Sequence, residues 1–287
     1  MMTYDFAFAG GEAEFRKALE LDPSDATVHQ WFAEALAFLG GRAQESIDEA
    51  NRAHQLDLLS PIIGHALAEV HYIPRQFDKA IEFDKRVIAD IPNFPAAHDG
   101  LATSYRGQRK YPQVIEQYKL AGLAHKNQAE LGAAMDEGFH SAGWPGALHK
   151  AIEISLAQRK STAEYVSPYG IAQLNADLGN KDHAFEWLNT AYQEHHPNQV
   201  QLPTDFTLGA LRSDPATPNW CAKLDSHDSD GGCGCSQNSA CIFATTEMRL
   251  PVSGSSGNVR QRFWADDVSA TLTSSGNGRS ADIPGHN

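Results

Sequence analysis

The most reactive side chains of this sequence are four cysteines, all of which lie after residue 220. Cys233-Gly-Cys235, with Cys221, Cys241 and His227 near it, offers the thiolate and imidazole ligands that hold zinc. The spacing is not that of a usual zinc knuckle, whose paired cysteines stand further apart, so neither a metal nor a cofactor is expected. His195-His196 stands at a helix end before Pro197, where the helix dipole favours an imidazolium without any ligand. Trp187 reads as a packing residue between two helices, and Asp84-Lys85-Arg86 as a solvated helix face. There is no glycine-rich phosphate loop, no His-Glu-x-x-His and no Gly-x-Ser-x-Gly. Acids and histidines are plentiful, but they recur at helical spacing on what read as surfaces, and no enzyme is expected.

The formal net charge of −13 argues against nucleic acid and against anionic membranes as direct partners, since like charge repels both. The first residues lack a basic stretch followed by an apolar core. No apolar run approaches the ~18 residues that a membrane span requires. A cytoplasmic location is the expectation. Because the first 220 residues contain no cysteine, their fold cannot rest on disulfides or thiolate-bound metal.

What positions the remaining side chains is a repeat. Ser46, Ala80 and Val114 recur at a spacing of 34, as do Ile47, Ile81 and Ile115, and Ala53, Val87 and Ala121. Phe77 and Tyr111 keep the same step. Thirty-four residues suffice for two helices of roughly 12–14 residues and two short turns. The small residue lets the paired helices approach, and larger apolar residues three and four positions away fill the groove between them. Pro23 and Pro92 close second helices, and Leu58 stands where another such proline would be. A single hairpin cannot bury its apolar face, so the hairpins must stack.

The register extends both ways. Phe8, Gly11, Phe15, Ala18 and Pro23 form a second helix with no first helix before it, and the step to the next unit is 35, with Gly40-Gly41 as the insertion. Gly143, Ala147 and Ile154, with Phe139 on the preceding helix, mark a fourth unit. Ile171, Ala172, Gly179, Ala184, Trp187, Leu188 and Ala191 mark a fifth, opened by an N-cap and N1 proline at Ser167-Pro168.

The blocks Phe15-Arg-Lys-Ala-Leu-Glu-Leu-Asp-Pro23, Phe77-Asp-Lys-Ala-Ile-Glu82 and Leu178-Gly-Asn-Lys-Asp-His-Ala-Phe-Glu-Trp-Leu188 resemble tetratricopeptide repeats (TPR). The ending Leu211-Arg-Ser-Asp-Pro215 is similar to the close of TPR arrays in large bacterial signalling and transcriptional-regulator proteins, where the array follows an effector module. The resemblance implies an all-α fold, a right-handed TPR α-solenoid over residues 5–215. Its parts would be a half repeat at 5–25, repeats at about 26–60, 61–94, 95–128, 129–160 and 165–195, and a partial cap at 204–215. The departures are Leu58 for proline, Ser46 and Val114 for alanine, and a fourth-to-fifth step of 37.

The same resemblance implies which residues of each first helix line the concave groove. By register these are Gln30 and Glu34, then His65, Glu69 and Tyr72, then Asp99, Thr103 and Arg106, then Glu137 and His140, and last Tyr169 and Gln173. They would hold a partner protein's peptide or helix, and their mixture of Tyr, His, Gln and acids suits a partner with some positive charge. The alternative is a solvated face on a structural spacer or oligomerisation module, or on a non-functional remnant.

Both ends invite an expectation. The opening half repeat suggests either that an effector-bearing part precedes it or that residues 1–20 act as a single capping helix. Residues 216–287 are expected to be disordered, because a Gly-, Ser-, Asp- and Thr-rich stretch cannot offset the entropy of ordering. Read one base out of frame from Pro215, the codons permit Arg-Tyr-Ala-Lys-Leu-Val-Arg-Lys-Ile-Gly-Leu, an amphipathic helix with a glycine cap. A frameshift at about codon 216 is therefore expected to have replaced the native cap, a genuine acidic tail being the alternative. Loss of that cap would leave a sticky apolar end and favour self-association.

Overall fold

The computed structural model describes residues 8–39, 42–122, 126–161, 165–194, 196, 204–212 and 214. All belong to one of the chain's two units, Met1–Met248; the other, Arg249–Asn287, lies outside the described residues. So do residues 216–248, the four cysteines, His227, His195 and the Gly40-Gly41 insertion.

The described residues are helical throughout their length apart from turns. In order come α1 (Phe8–Leu21), α2 (Ala26–Leu39), α3 (Ala43–Leu56), α4 (Pro61–Tyr72), α5 (Phe77–Asp90), α6 (Pro95–Gly107) and α7 (Tyr111–Ala121). Then follow α8 (Lys126–Ser161), α9 (Pro168–Leu178), α10 (Lys181–Gln193), a 3-10 turn (Phe206–Leu208) and the short α11 (Gly209–Arg212). Helix α8 is two helices joined at Ala142 and Gly143, whose backbone angles are not helical. Helix α2 pairs with α3, α4 with α5, α6 with α7 and α9 with α10, and the hairpins stack so that α2, α4 and α6 are neighbours along one face.

The small residue of each second helix seals its hairpin. Ser46, Ala80, Val114, Ala147 and Ala184 are all at most 1% exposed. A larger side chain there would hold the helices apart, so the fold tolerates alanine's neighbours in size and little more. Ser46 fits because its buried hydroxyl donates to the Ala33 carbonyl at 2.7 Å. The apolar positions around it form the cores. Ile47, Ala50, Leu67 and Val70 join α3 to α4, and Ile81, Leu101, Tyr105 and Val114 join α5 to α6 and α7. Met135, Ala147 and Ala151 close the two halves of α8 on Ile115.

Starts and stops follow from side-chain chemistry. Ser60 and Ser167 each cap a helix whose first residue is proline, and the Ser167 hydroxyl accepts from Gly170 N at 3.1 Å. Where proline is missing at Leu58, Asp57 holds the turn instead, accepting from the amides of Leu59 and Ser60 at 3.1 Å each. Leu58 and Leu59 are left exposed.

Between the helices of a hairpin the chain turns through a positive φ at one register position. Arg75 (φ 65°), Arg109 (φ 58°), Gly143 (φ 66°) and Gly179 (φ 87°) occupy it. The hydrogen bonds repeat with it: Gln76 N to His71 O, Lys110 N to Tyr105 O and Asn180 N to Asn175 O, all at 2.9 Å, each beside a shorter loop of one amide to the carbonyl three residues back. This is the glycine-favouring helix stop of the Schellman type, and two of its occupants here are arginines.

One sequence expectation is overturned. Asp84 is not on a solvated face with Lys85 and Arg86; it is fully buried, while its two neighbours are exposed. Its position four residues after Ala80 and three before Val87 puts it on the core stripe of α5. The notion that acids and histidines stay on surfaces fails likewise for Glu34, His65, Glu69, His71 and His98, all buried.

Candidate functional site

Of the twelve residues assigned to the groove, the five Gln30, Glu34, His65, Glu69 and Tyr169 are buried. Tyr72, Thr103, Arg106 and Gln173 are partly buried, and Asp99, Glu137 and His140 are exposed. The last two stand apart on the first half of α8, where Glu137 lies 3.5 Å from Lys150 and His140 Nδ1 lies 2.8 Å from the Asp136 carbonyl.

Four of the buried ones, all but Tyr169, form a polar cluster with Tyr72 and Asp84 between α2, α4 and α5. Gln30 donates to Glu34 at 3.0 Å, His65 Nδ1 meets Asp84 Oδ1 at 2.8 Å, and the Tyr72 hydroxyl donates to Glu69 at 3.2 Å. One oxygen each of Glu69 and Asp84 is buried with no hydrogen-bond partner. Burial, reinforced by the charge of Glu69, pushes the Glu34 carboxyl up to about 8, so it is held protonated near neutrality. For His65, burial opposes the charged form, but the paired Asp84 and the nearby Glu69 and Glu34 outweigh it and lift the imidazole to about 9. Burial and the carboxylate of Glu69 raise the Tyr72 phenol well above its ordinary value.

A second group joins helices of separate repeats, α6 and α9, and the segment that follows α10. Arg106 Nε donates to Asp177 Oδ2 at 2.6 Å, and its Nη2 donates to the Gln173 carbonyl at 3.0 Å, tying α6 to α9. Asp205, just before the 3-10 turn, accepts from the Tyr169 hydroxyl at 3.0 Å and from Gln173 Nε2 at 2.8 Å. Its other oxygen accepts from Thr207 N at 2.8 Å and fixes the turn. Phe206 then packs edge-on against Phe77 at the start of α5, with ring centroids 5.3 Å apart. Leu208 and Leu211 are buried with Tyr169, Leu188 and Ala191 and close the end of the fifth hairpin.

Of the residues that register named, the structure brings Arg106, Tyr169 and Gln173 together around Asp177 and Asp205, and Tyr72 beside Glu69; register did not name Asp84, Asp177, Asp205 or Phe206. The core stripe was a usable signal for Asp84. For Phe206 there was none, because its partner Phe77 lies in a repeat far away in sequence, and Asp205 stands outside the helices that the register covers. Among the described residues no group of three or more His, Cys, Asp or Glu side chains is placed to hold a metal ion. No described helix is long and apolar enough to cross a membrane.

Helix hairpins with a sealed small residue recur at a step of 34 from α3 to α7, with the left-handed turn described between α4 and α5 and between α6 and α7. The described residues fold as an α-solenoid of stacked hairpins with the step and packing of tetratricopeptide repeats. No family model matches its sequence, and no curated protein does. Solved structures that it resembles include YrrB, a TPR protein with an unusual peptide-binding site, at a TM-score of 0.39 and 17% identity over 66% of this chain and 95% of that one. Another is Naa15/Naa10 bound to HypK-THB, at a TM-score of 0.38 and 17% identity, covering 78% of this chain but only 35% of that one.

Proposed function

We propose that this TPR array is a protein-interaction scaffold whose inner face holds an extended stretch of a partner polypeptide. One observation supports this above others: side chains from separate repeats, Phe77, Tyr169 and Gln173, meet around a non-helical stretch of backbone and hold it by a ring contact and two hydrogen bonds to one carboxylate. That is how a repeat protein reads a peptide, with contacts drawn from more than one repeat, here α5 and α9. Asp99 and Thr103 on α6 and the exposed Glu137 and His140 belong to the proposed face through their register. Placement of the array in a bacterial signalling protein, behind an effector module, rests on the resemblance of the repeat blocks alone.

The test is selection of binding peptides from a random display library on the purified chain, followed by affinity measurements on variants. Binding weakened by Thr103→Arg and Asp99→Lys, and kept by Glu82→Ala on the outer side of α5, supports the reading. Peptides indifferent to the α6 changes would overturn it. The second reading, a rigid spacer without a ligand, is favoured by the Arg106–Asp177 bridge, which ties distant repeats together. A spacer would yield no peptide sensitive to either α6 change.

A further inference from the structure

We infer that the inner face selects a peptide with a carboxylate followed by an aromatic ring, and that Asp205-Phe206 is its intramolecular occupant. This rests on the scaffold reading and adds to it the ligand's chemistry and its regulation. The donors aimed at Asp205 come from the array, not from the segment's own repeat alone: the Tyr169 hydroxyl and Gln173 amide touch one oxygen, and the positive charge of Arg106 acts on the same carboxylate. Phe206 is only partly buried and reaches back to Phe77 in the second full repeat. The segment is anchored as a cap chiefly by Leu208 and Leu211, while the second oxygen of Asp205 holds the turn through Thr207 N. The Asp-Phe pair and the capping leucines can therefore be separated by mutation.

The chemistry differs from the basic partner that the face composition suggested. Of the four acids that prompted that expectation, Glu34 and Glu69 are buried in the α2–α4–α5 cluster and do not face a ligand, while Asp99 and Glu137 are exposed. Around Asp205 the cations Arg106 and Arg212 both act on the carboxylate, Arg106 while also paired with Asp177 at 2.6 Å, and Arg75 stands close enough to Arg212 to repel it. A net charge of −13 disfavours acidic partners at long range, so an Asp-Phe motif must win by short-range contacts to these groups and to Tyr169 and Gln173. A partner presenting the same pair competes with the chain's own copy, and its apparent affinity is reduced by the fraction of chains in which the occupant is seated.

The experiment uses a fluorescein-labelled peptide, Thr-Asp-Phe-Thr-Leu, copied from residues 204–208, and fluorescence anisotropy on the full chain. The double variant Asp205→Ala/Phe206→Ala, with both leucines intact, is expected to bind the probe at least about tenfold more tightly than the wild type, a factor set by the seated fraction. A probe with Asn for Asp and Ala for Phe should lose that gain, and adding Tyr169→Phe to the double variant should weaken it. Equal binding by wild type and double variant, or binding by neither, overturns the inference. If circular dichroism shows the double variant unfolded, the isosteric Asp205→Asn takes its place. If that too unfolds, the stretch is a structural element and the inference falls. Library peptides that bind the α6 face without an acidic-aromatic pair would retain the scaffold reading and reject this one.

Discussion

Arg106 on α6 and Asp177 in the last turn of α9 are 71 residues apart in sequence and 2.6 Å apart in space. Their side chains are 10% and 21% exposed, so the pair is neither fully buried nor a surface contact. Burial opposes the charge on Arg106, but Asp177 more than compensates and raises the guanidinium's already high pKa. Removing the arginine strands a carboxylate that can still turn partly to water, so Arg106→Ala should cost about 2 kcal/mol rather than the 3–5 of a fully buried pair. Arg106→Lys keeps the charge but cannot also reach the Gln173 carbonyl, and should cost about half as much. Urea unfolding of the two variants and of Asp177→Ala, taken as a double-mutant cycle, measures the coupling. A coupling near zero would mean that α6 and α9 are not tied.

The left-handed turn position yields a gain rather than a loss. Arg75 and Arg109 sit where Gly143 and Gly179 sit, at φ values that cost a side chain about 1–2 kcal/mol. Glycine removes that strain but adds roughly 0.5–1 kcal/mol of unfolded-state entropy. Arg109→Gly should therefore stabilise by about 0.5 kcal/mol, and Arg109→Ala, still strained, should not. Arg75→Gly should gain somewhat more, because it also relieves the repulsion from Arg212. Thermal unfolding of the three variants checks the ordering, and an equal gain from alanine would refute the role of backbone strain.

These positions show what could be read beforehand. The hairpin step was legible because Ser46, Ala80 and Val114 recur at a fixed distance, and recurrence is a property of sequence alone. The turn at Arg75 and Arg109 was not, because arginine carries no signal for positive φ. Asp84 was hidden by its charge: the core stripe of α5 includes it, but a carboxylate enters a core only with a partner, and His65 stands 19 positions earlier on another helix. Asp205 and Phe206 depend on how far the stacked repeats curl toward one another. That is the sum of many small rotations, and no single residue announces it.

Close backbone approach sets a sharper limit within α8. A Cβ placed on Gly138 would stand 2.3 Å from the Gly146 carbonyl oxygen, and backbone cannot swing aside as a side chain can. Gly138→Ala should destabilise by roughly 2–3 kcal/mol by forcing the two halves of α8 apart. Gly170, in the first turn of α9, is the control: its nearest neighbour would be the Ser167 Cβ at 3.7 Å, an ordinary contact. Gly170→Ala should stabilise by about 0.5–1 kcal/mol through helix propensity. Circular dichroism melts of the pair should move in opposite directions, and parallel shifts would contradict the close crossing.

The buried cluster predicts how stability follows pH. Glu34 has a folded pKa of about 8 against an ordinary 4.5, because burial and Glu69 both oppose its ionisation. The folded chain therefore holds a proton that the unfolded chain has already lost, and stability falls as pH rises through that window. His65 acts in the same direction. Its contribution is complete below its ordinary 6.5 and is lost as pH climbs through about 9. The groups facing it are Glu34 from α2, Glu69 and Tyr72 from α4 and Asp84 from α5, with the charge of His98 on α6 bearing on Asp84. From pH 6.5 to 9 the Glu34 share alone should be on the order of 2 kcal/mol. Glu34→Gln removes the titrating proton, and its amide oxygen can still accept from Gln30. The variant should match the wild type only at or below about pH 4.5 and exceed it by a margin that grows up to about pH 8, with a shallower decline that leaves the His65 part in place. Denaturant titrations across that range read both slopes directly. Identical slopes for variant and wild type would mean that Glu34 is ionised in the folded chain and that the cluster does not hold its proton.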